Sequence, residues 1–489
     1  MEIYYIIFCA VILPLVNLYQ PHEARHYLFA LGSATVLLYV VSTRLFYGDG
    51  SSVLHMPDLW VAGFGVCTVM SCAWATNARE ALSDGVVWAG CLVLYFAAGR
   101  VNTDGMMLAL FAPAVLMTPM ALYQAYSERR HGHVIEIDGL QLVTMPSGMF
   151  GNTNFFGVYL AVVFFAGLWL SENVSPWFYA PLSLVAICLV LTKCRAAWVG
   201  CSGGLALFCY LNGFLFEMAI LLIAGGVAFM TKLLKAKGSP LESSGTARIS
   251  FFLNALKLIR QRPLFGWGLR SFRVEQYYAH RDLAAESESL GKKSSAPTDR
   301  IHNDYLEIGV ETGLAGLILF GVFLVHLPWS ADPCLSGGLA SMLVSAMFFF
   351  PFYTMPTAVA FWCFAGAAAS RTPAEITLDV PVLIYAVLAA CFLGVVWQVS
   401  LFKLIALMIW HHRANRAQNV PGLLHVVMKC LKYDPYNSEY LINAYQLTAR
   451  RRPDLAVKCA TRLLEHFDGN VPLESIEEIQ PKIANRKGD

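Results

Sequence analysis

Residues 154–171 read NFFGVYLAVVFFAGLWLS, eighteen positions without one charged side chain. A helix needs about 20 apolar residues to cross the hydrocarbon core of a bilayer. In lipid each backbone amide must bond within its own segment, and a single run achieves that only as a helix. The same reading extends outward in both directions. Candidate spans are 3–19, 28–47, 58–74, 82–99 and 105–125 before this run, and 176–192, 197–213 and 215–231 after it. Beyond a polar gap come 303–327, 335–353, 357–370 and 382–410, the last long enough to continue past the membrane. The expected fold class is therefore all-α: a polytopic membrane protein of about 12–13 transmembrane helices.

Composition agrees. Of 489 residues, 57% are hydrophobic and only 14% charged, against about 25% charged in a soluble domain. Mean hydropathy is +0.54. A net charge of +2 gives no basic surface for nucleic acid. The 13 cysteines, such as Cys67, Cys72, Cys91 and Cys188, are scattered through apolar runs. They show no CxxC metal spacing and no disulfide framework, and read as small buried hydrophobes. The run from Ile3 to Tyr19 has neither a basic lead nor a small-residue cleavage site, so it reads as a retained helix and not a signal peptide.

Four regions follow: N-terminal spans over 1–231, a hydrophilic loop over 232–301, further spans over 302–410 and a tail over 411–489. Loops as long as 232–301 usually carry function. This one opens with Lys232, Lys235, Lys237 and a Gly-Ser-Pro turn. A helix is expected from Ala247 to Arg262, with Ile249, Phe252, Leu253, Leu256 and Ile259 on one face, a pattern suited to the membrane interface. In the tail, Tyr440–Arg450 and Asp454–His466 form two short amphipathic stretches separated by Arg-Arg-Pro, similar to a tetratricopeptide unit. One such unit is too few to stand alone, so the tail is expected to lean on the membrane domain or on a protein partner.

Charge sets a problem of orientation. With the N-terminus in the cytoplasm, nine spans put the 232–301 loop outside. Arg44, Arg100 and Arg371 then fall inside, while Arg25, Arg79, Arg129, Arg130, Lys193 and Arg195 fall outside in short loops. That opposes the usual excess of Lys and Arg on the inner side. Either the orientation is inverted or several outer arginines are kept for function, and the second reading is adopted.

Those arginines have chemistry to offer. Lys193-Cys194-Arg195 lies where two apolar runs meet; simple snorkelling competes with an anion clamp there. A guanidinium matches phosphate oxygens two at a time and stays charged. Arg248 shares the stripe of Phe252, Ala255 and Ile259 on the loop helix, a place where a lipid phosphate or a carboxylate would satisfy it. Pro263 to Phe272 reads as a glycine turn ending that helix, with amides free to approach a phosphate, and it contains Arg270. His302-Asn303 stands directly before an apolar helix. A lone histidine is more often structural, but this one is placed to exchange a proton beside an anion. Glu311, inside the run, is a functional candidate by location, yet in a straight helix it faces away from His302. It is assigned a supporting role, paired to an arginine. Gly151-Asn152-Thr153-Asn154 opens another helix, where Asn152 and Asn154 serve as cap or as sugar-hydroxyl contacts.

These segments together resemble the O-antigen ligase and polymerase superfamily of the Wzy-C type, which includes bacterial protein O-oligosaccharyltransferases. The matching pieces are Gly-Asn-Thr-Asn at 151–154, Cys-Arg-Ala-Ala-Trp at 194–198, Arg248 with Pro-Leu-Phe-Gly-Trp-Gly at 263–268, and His302 to Glu307 with Glu311 to Gly316. The resemblance covers 145–325. Cys194 departs from it, since many relatives have Ser before the arginine.

The resemblance implies a site on the extracytoplasmic face of a bacterial inner membrane and a glycan donor on undecaprenyl diphosphate. It implies no metal and no other cofactor. The acceptor is a glycolipid, another glycan chain or a protein. Arg195 and Arg248 would hold the diphosphate and His302 would act at the acceptor. Lys193, Arg270, Asn152, Asn154 and Asn303 would line the substrates, with Glu311 behind them. The chain has no Asp-x-Asp motif of a metal-dependent transferase. The rival from another class is a lipid-linked glycan transporter or flippase. It predicts paired repeats and broken helices about a midplane site, and no repeat is evident. A purely structural assembly protein would leave the Arg and His placements unexplained.

Overall fold

A computed structural model describes residues 2–15, 51–131, 134–137, 140–143, 145–218, 240–276, 300–373 and 376–379, with isolated positions elsewhere. The expected spans 28–47, 215–231 and 382–410, the loop 277–299 and the repeat-like tail lie largely or wholly outside the described residues.

Hydropathy is a good guide where it can be checked. α1 (Glu2–Ile7) continues into a π-helical stretch, Phe8–Ile12. The rest of the helical set is α2 (Met56–Met70), α3 (Ala78–Ala98), α4 (Thr103–His131), α5 (Thr153–Asn173), α6 (Tyr179–Leu191), α7 (Arg195–Leu211), α8 (Pro240–Gln261), α9 (Asp304–His326), α10 (Pro333–Ala346) and α11 (Met355–Ala369). Among the described residues, five segments are long and apolar enough to cross a membrane: Met56–Trp74, Glu80–Ala98, Thr103–Arg130, Thr153–Asn173 and Asp304–His326. Shorter apolar helices cover Pro176–Leu191, Pro333–Ala346 and Met355–Ala369. The chain is an all-α, multi-pass membrane protein. Among the described residues four short strands pair two by two, β1 (Ser51–Leu54) with β4 (Ile376–Asp379) and β2 (Val134–Ile137) with β3 (Leu140–Val143).

Lipid gives helices no hydrophobic reason to associate, so close backbone approach through small residues holds them together. α7 meets α10 in this way: Gly200 lies against Ser341 and Ser345, and Gly204 against the Gly337 carbonyl. α10 also packs on α5, α9 on α2, and α11 on α3. The buried centre is aromatic, with Trp88, Tyr95, Phe320, Phe323, Phe352 and Trp362 in contact. The outer surface keeps large apolar side chains such as Leu116, Val190, Ile318 and Val325, which suits lipid.

Three sequence expectations need correction. The loop helix α8 begins at Pro240, not Ala247, because a proline is well tolerated in a helix's first turn. Its apolar residues also occupy two faces, not one: Phe251, Ala255 and Leu258 are buried, while Ile249, Leu253 and Leu256 are exposed. The expected span 335–353 stops as α-helix at Ala346. Pro351 lacks an amide and disfavours helix in the residue before it, so Met347–Phe350 turns and Pro351–Tyr353 forms a 3-10 turn.

α9 is not straight. Gly313 has φ 67° and ψ −164°, a conformation open to glycine, and the helix breaks there. The Pro263–Gly268 turn fills the break. Trp267 and Gly268 amides donate to the Val310 and Glu311 carbonyls (2.8 and 2.9 Å), and Leu314 and Ala315 amides donate to Pro263 and Leu264 carbonyls (2.8 and 3.1 Å). The turn's amides at 267 and 268 are thereby used within the protein and are not free to hold a phosphate.

Candidate active site

The helices alternate in direction, so their ends sort onto two faces. One face carries Asp58 with Tyr95 (2.7 Å) and Arg371 with Asp332. The other gathers the candidate site residues named from the sequence. The N-termini of α5, α7 and α9 open there. Asn152 caps α5 by accepting from the Asn154 amide (2.8 Å), and Asn303 caps α9 by accepting from the Leu306 amide (3.0 Å). α7 has no side-chain capping bond; its N-cap, Cys194, offers only a sulfur. The Cys194 thiol reaches the Asn154 carbonyl at 3.8 Å, which joins the 151–154 and 194–198 segments.

Arg195 begins α7. A helix N-terminus carries partial positive charge and favours anions, so a cation there is misplaced unless an anion arrives. Arg248, half-buried on α8, lies near enough for the Arg195 charge to act on it. Burial first, and then Arg195, lower its affinity for its proton. Its guanidinium donates to the Phe348 carbonyl at 3.4 Å. Among the described residues neither arginine forms an ion pair with a carboxylate.

His302 lies near Arg248 and against an aromatic wall. Its ring centre lies 5.0 Å from Phe350, 6.2 Å from Phe349 and 6.3 Å from Phe251. Nδ1 is buried without a hydrogen-bond partner among the described residues. Burial, and then the positive charge of Arg248, push its pKa down to about 4. It is neutral near pH 7, as a proton acceptor must be. Its backbone is left-handed at φ 60°. Lys193 (φ 56°) and Arg270 (φ 61°) are the other non-glycine residues of positive φ among those described. Such conformations cost on the order of 1–3 kcal/mol each and persist only where surroundings enforce them.

The remaining candidates divide. Exposed Lys193 pairs with Glu128 at 3.1 Å. Asn303 also donates to the Met347 carbonyl (3.0 Å), so its side chain is engaged at both ends. Arg270 turns into the protein, 3.2 Å from Asp84 and 3.7 Å from Glu80. Glu311 is 1% exposed and does pair with an arginine: it lies 3.8 Å from Arg300, accepts from the Arg270 amide (2.9 Å) and from Tyr353 Oη (2.5 Å).

Arg300 was not singled out by sequence. It is buried, 2.9 Å from Glu307 and 3.0 Å from Asp84, with its guanidinium 3.9 Å from the centre of the Tyr353 ring. Burial alone would lower its pKa, but Glu307 and Asp84 outweigh it and hold the group well above its ordinary value. A carboxylate such as Asp84 within an apolar run was the available signal. The Phe348–Phe350 wall carried none, because it reads as the end of a span.

No curated protein matches the chain. Residues 180–321 match a family model described as O-antigen ligase. That match runs from α6 through most of α9 and covers under a third of the chain, so over this stretch the chain is similar to the O-antigen ligase family.

Proposed function

We propose that the protein moves a glycan from an undecaprenyl-diphosphate donor to an acceptor hydroxyl at the extracytoplasmic face of a bacterial inner membrane. The observation that carries this reading is the convergence of Arg195, at the uncapped N-terminus of α7, and Arg248, without a carboxylate partner among the described residues, near a neutral His302. Two guanidiniums and the helix end would take the diphosphate oxygens and stabilise charge as it develops on the leaving group. His302 would accept the proton of the acceptor hydroxyl. That oxygen would attack the anomeric carbon as the bond to the diphosphate breaks, with inversion and release of undecaprenyl diphosphate. The break in α9 does not favour a transporter, because the chain's own turn fills it.

The test is donor turnover by purified full-length protein. The probe is a defined undecaprenyl-diphosphate-linked oligosaccharide, offered with lipid A–core, a free glycan or a serine-bearing protein as acceptor. Glycosylated product with equal release of undecaprenyl diphosphate supports the reading, and the productive acceptor names the subtype. No donor turnover with any of the three overturns it.

A further inference from the structure

Resting on the reading of His302 as base, we propose that Arg300 is a positioning residue that holds His302 in its left-handed conformation and so fixes where the base meets the acceptor. The two are neighbours in sequence but differ in surroundings. Arg300 is 7% exposed and belongs to a charge network; His302 faces aromatic rings and Arg248.

The network grips His302 from both sides. On the chain side, Glu307 takes Arg300 with one carboxylate oxygen (2.9 Å) and the Ile301 amide with the other (3.2 Å). Asp84 of α3 takes the second guanidinium nitrogen at 3.0 Å. The two residues before His302 are thus tied to α3 and to the helix that follows. A left-handed backbone at a non-glycine residue needs such over-determination. On the wall side, the ring of Tyr353 lies under the Arg300 guanidinium, and Asp304 accepts from the Phe352 amide at 3.0 Å. That fixes the Pro351–Tyr353 turn, and with it Phe350, which touches the His302 ring. One guanidinium therefore sets both the backbone of the base and the ring beside it. A lysine has the charge but not the planar fork that spans Asp84 and Glu307 together.

The experiment measures transfer by Arg300→Lys in wild-type and His302→Ala backgrounds, using the lipid-linked oligosaccharide and the productive acceptor. A base displaced by about an ångström loses on the order of a hundredfold in rate. Arg300→Lys should therefore lower kcat by about that factor while donor KM stays within roughly twofold. In the His302→Ala background the same substitution should cost little more, since it acts through the histidine. Glu307→Gln, which keeps volume and an acceptor for the Ile301 amide, should show the same pattern and serves if Arg300→Lys does not accumulate. Wild-type kcat in either folded variant overturns the proposal, as does an equal loss in both backgrounds, which marks a structural role. Full activity of His302→Ala alone sinks the underlying reading instead, so the two failures are separable.

Discussion

Arg195 and Arg248 confront each other, like charge on like, and no carboxylate among the described residues lies between them to relieve the repulsion. Folding gains nothing from that arrangement, whereas a diphosphate would cancel it. Arg195→Lys keeps the charge but loses the two-pronged contact, and should lower kcat/KM roughly 10- to 100-fold. Arg248→Ala should raise donor KM, so that the rate falls most at low donor concentration. Arg260→Ala, on the exposed side of the same loop helix, should leave both unchanged. Steady-state transfer kinetics read all three; a wild-type Arg195→Lys would remove the clamp.

Because arginines supply the positive charge in this mechanism, transfer is expected to proceed undiminished in EDTA. Activity that is lost on chelation and restored by magnesium or manganese would assign that charge to a metal.

His302→Ala should lower kcat by about 10²- to 10⁴-fold with little change in melting temperature. With a pKa near 4, the acid limb of kcat/KM should fall near pH 4 and not near 6.5. Bound diphosphate favours the protonated ring, so the limb in kcat should sit higher. The sign for stability follows. Between about 6.5 and 4 the unfolded chain binds a proton here that the folded chain refuses. This residue's contribution is therefore full above pH 6.5 and is lost as pH falls towards 4. A kcat/KM limb at 6.5 would show that the histidine is not desolvated in the working enzyme.

Gly313→Ala tests the break in α9. A Cβ there would lie 2.4 Å from the Leu264 carbonyl oxygen, at a φ that alanine resists. The expected loss is about 3 kcal/mol or more, seen as a fall in melting temperature. Gly321→Ala, with open space around its Cβ, should be neutral or slightly stabilising.

The two faces predict opposite labelling. A cysteine at exposed Arg260, on the site face, should react with an impermeant thiol reagent in intact spheroplasts, in a background without native cysteines. One at exposed Val174, on the other face, should react only after lysis. The reverse pattern would put the site in the cytoplasm.

The span boundaries were legible because burial in lipid imposes length and hydropathy on every helix: 154–171 was expected and Thr153–Asn173 is found. The grouping of Arg195, Arg248 and His302 was legible because Arg195 and His302 stand at the ends of apolar runs and Arg248 on the apolar stripe of a loop helix, where a charge needs a reason. What hydropathy does not encode is backbone angle and pairing. Gly313 looked like one more small residue in a span, so Glu311 was placed by the geometry of a straight helix. Arg300 looked like the last residue of a polar loop, since nothing in its neighbours shows that Asp84, more than two hundred positions earlier, meets it. The Phe348–Phe350 wall was hidden by its own hydrophobicity, and only Pro351 hinted that the helix ends before it.

The filled break in α9 bears on how the chain is made. Val310 and Glu311 carbonyls and Leu314 and Ala315 amides bond to the Pro263–Leu264 and Trp267–Gly268 backbone. A segment 304–326 released alone into lipid would close 314 onto 310 and 315 onto 311 as a continuous helix, so the break exists only where the 263–268 turn takes those four groups over. The broken shape of this helix is thus tied to the 263–268 turn, which precedes it in the chain. The order of synthesis suits this: the turn is already made when the helix bearing the histidine end folds against it.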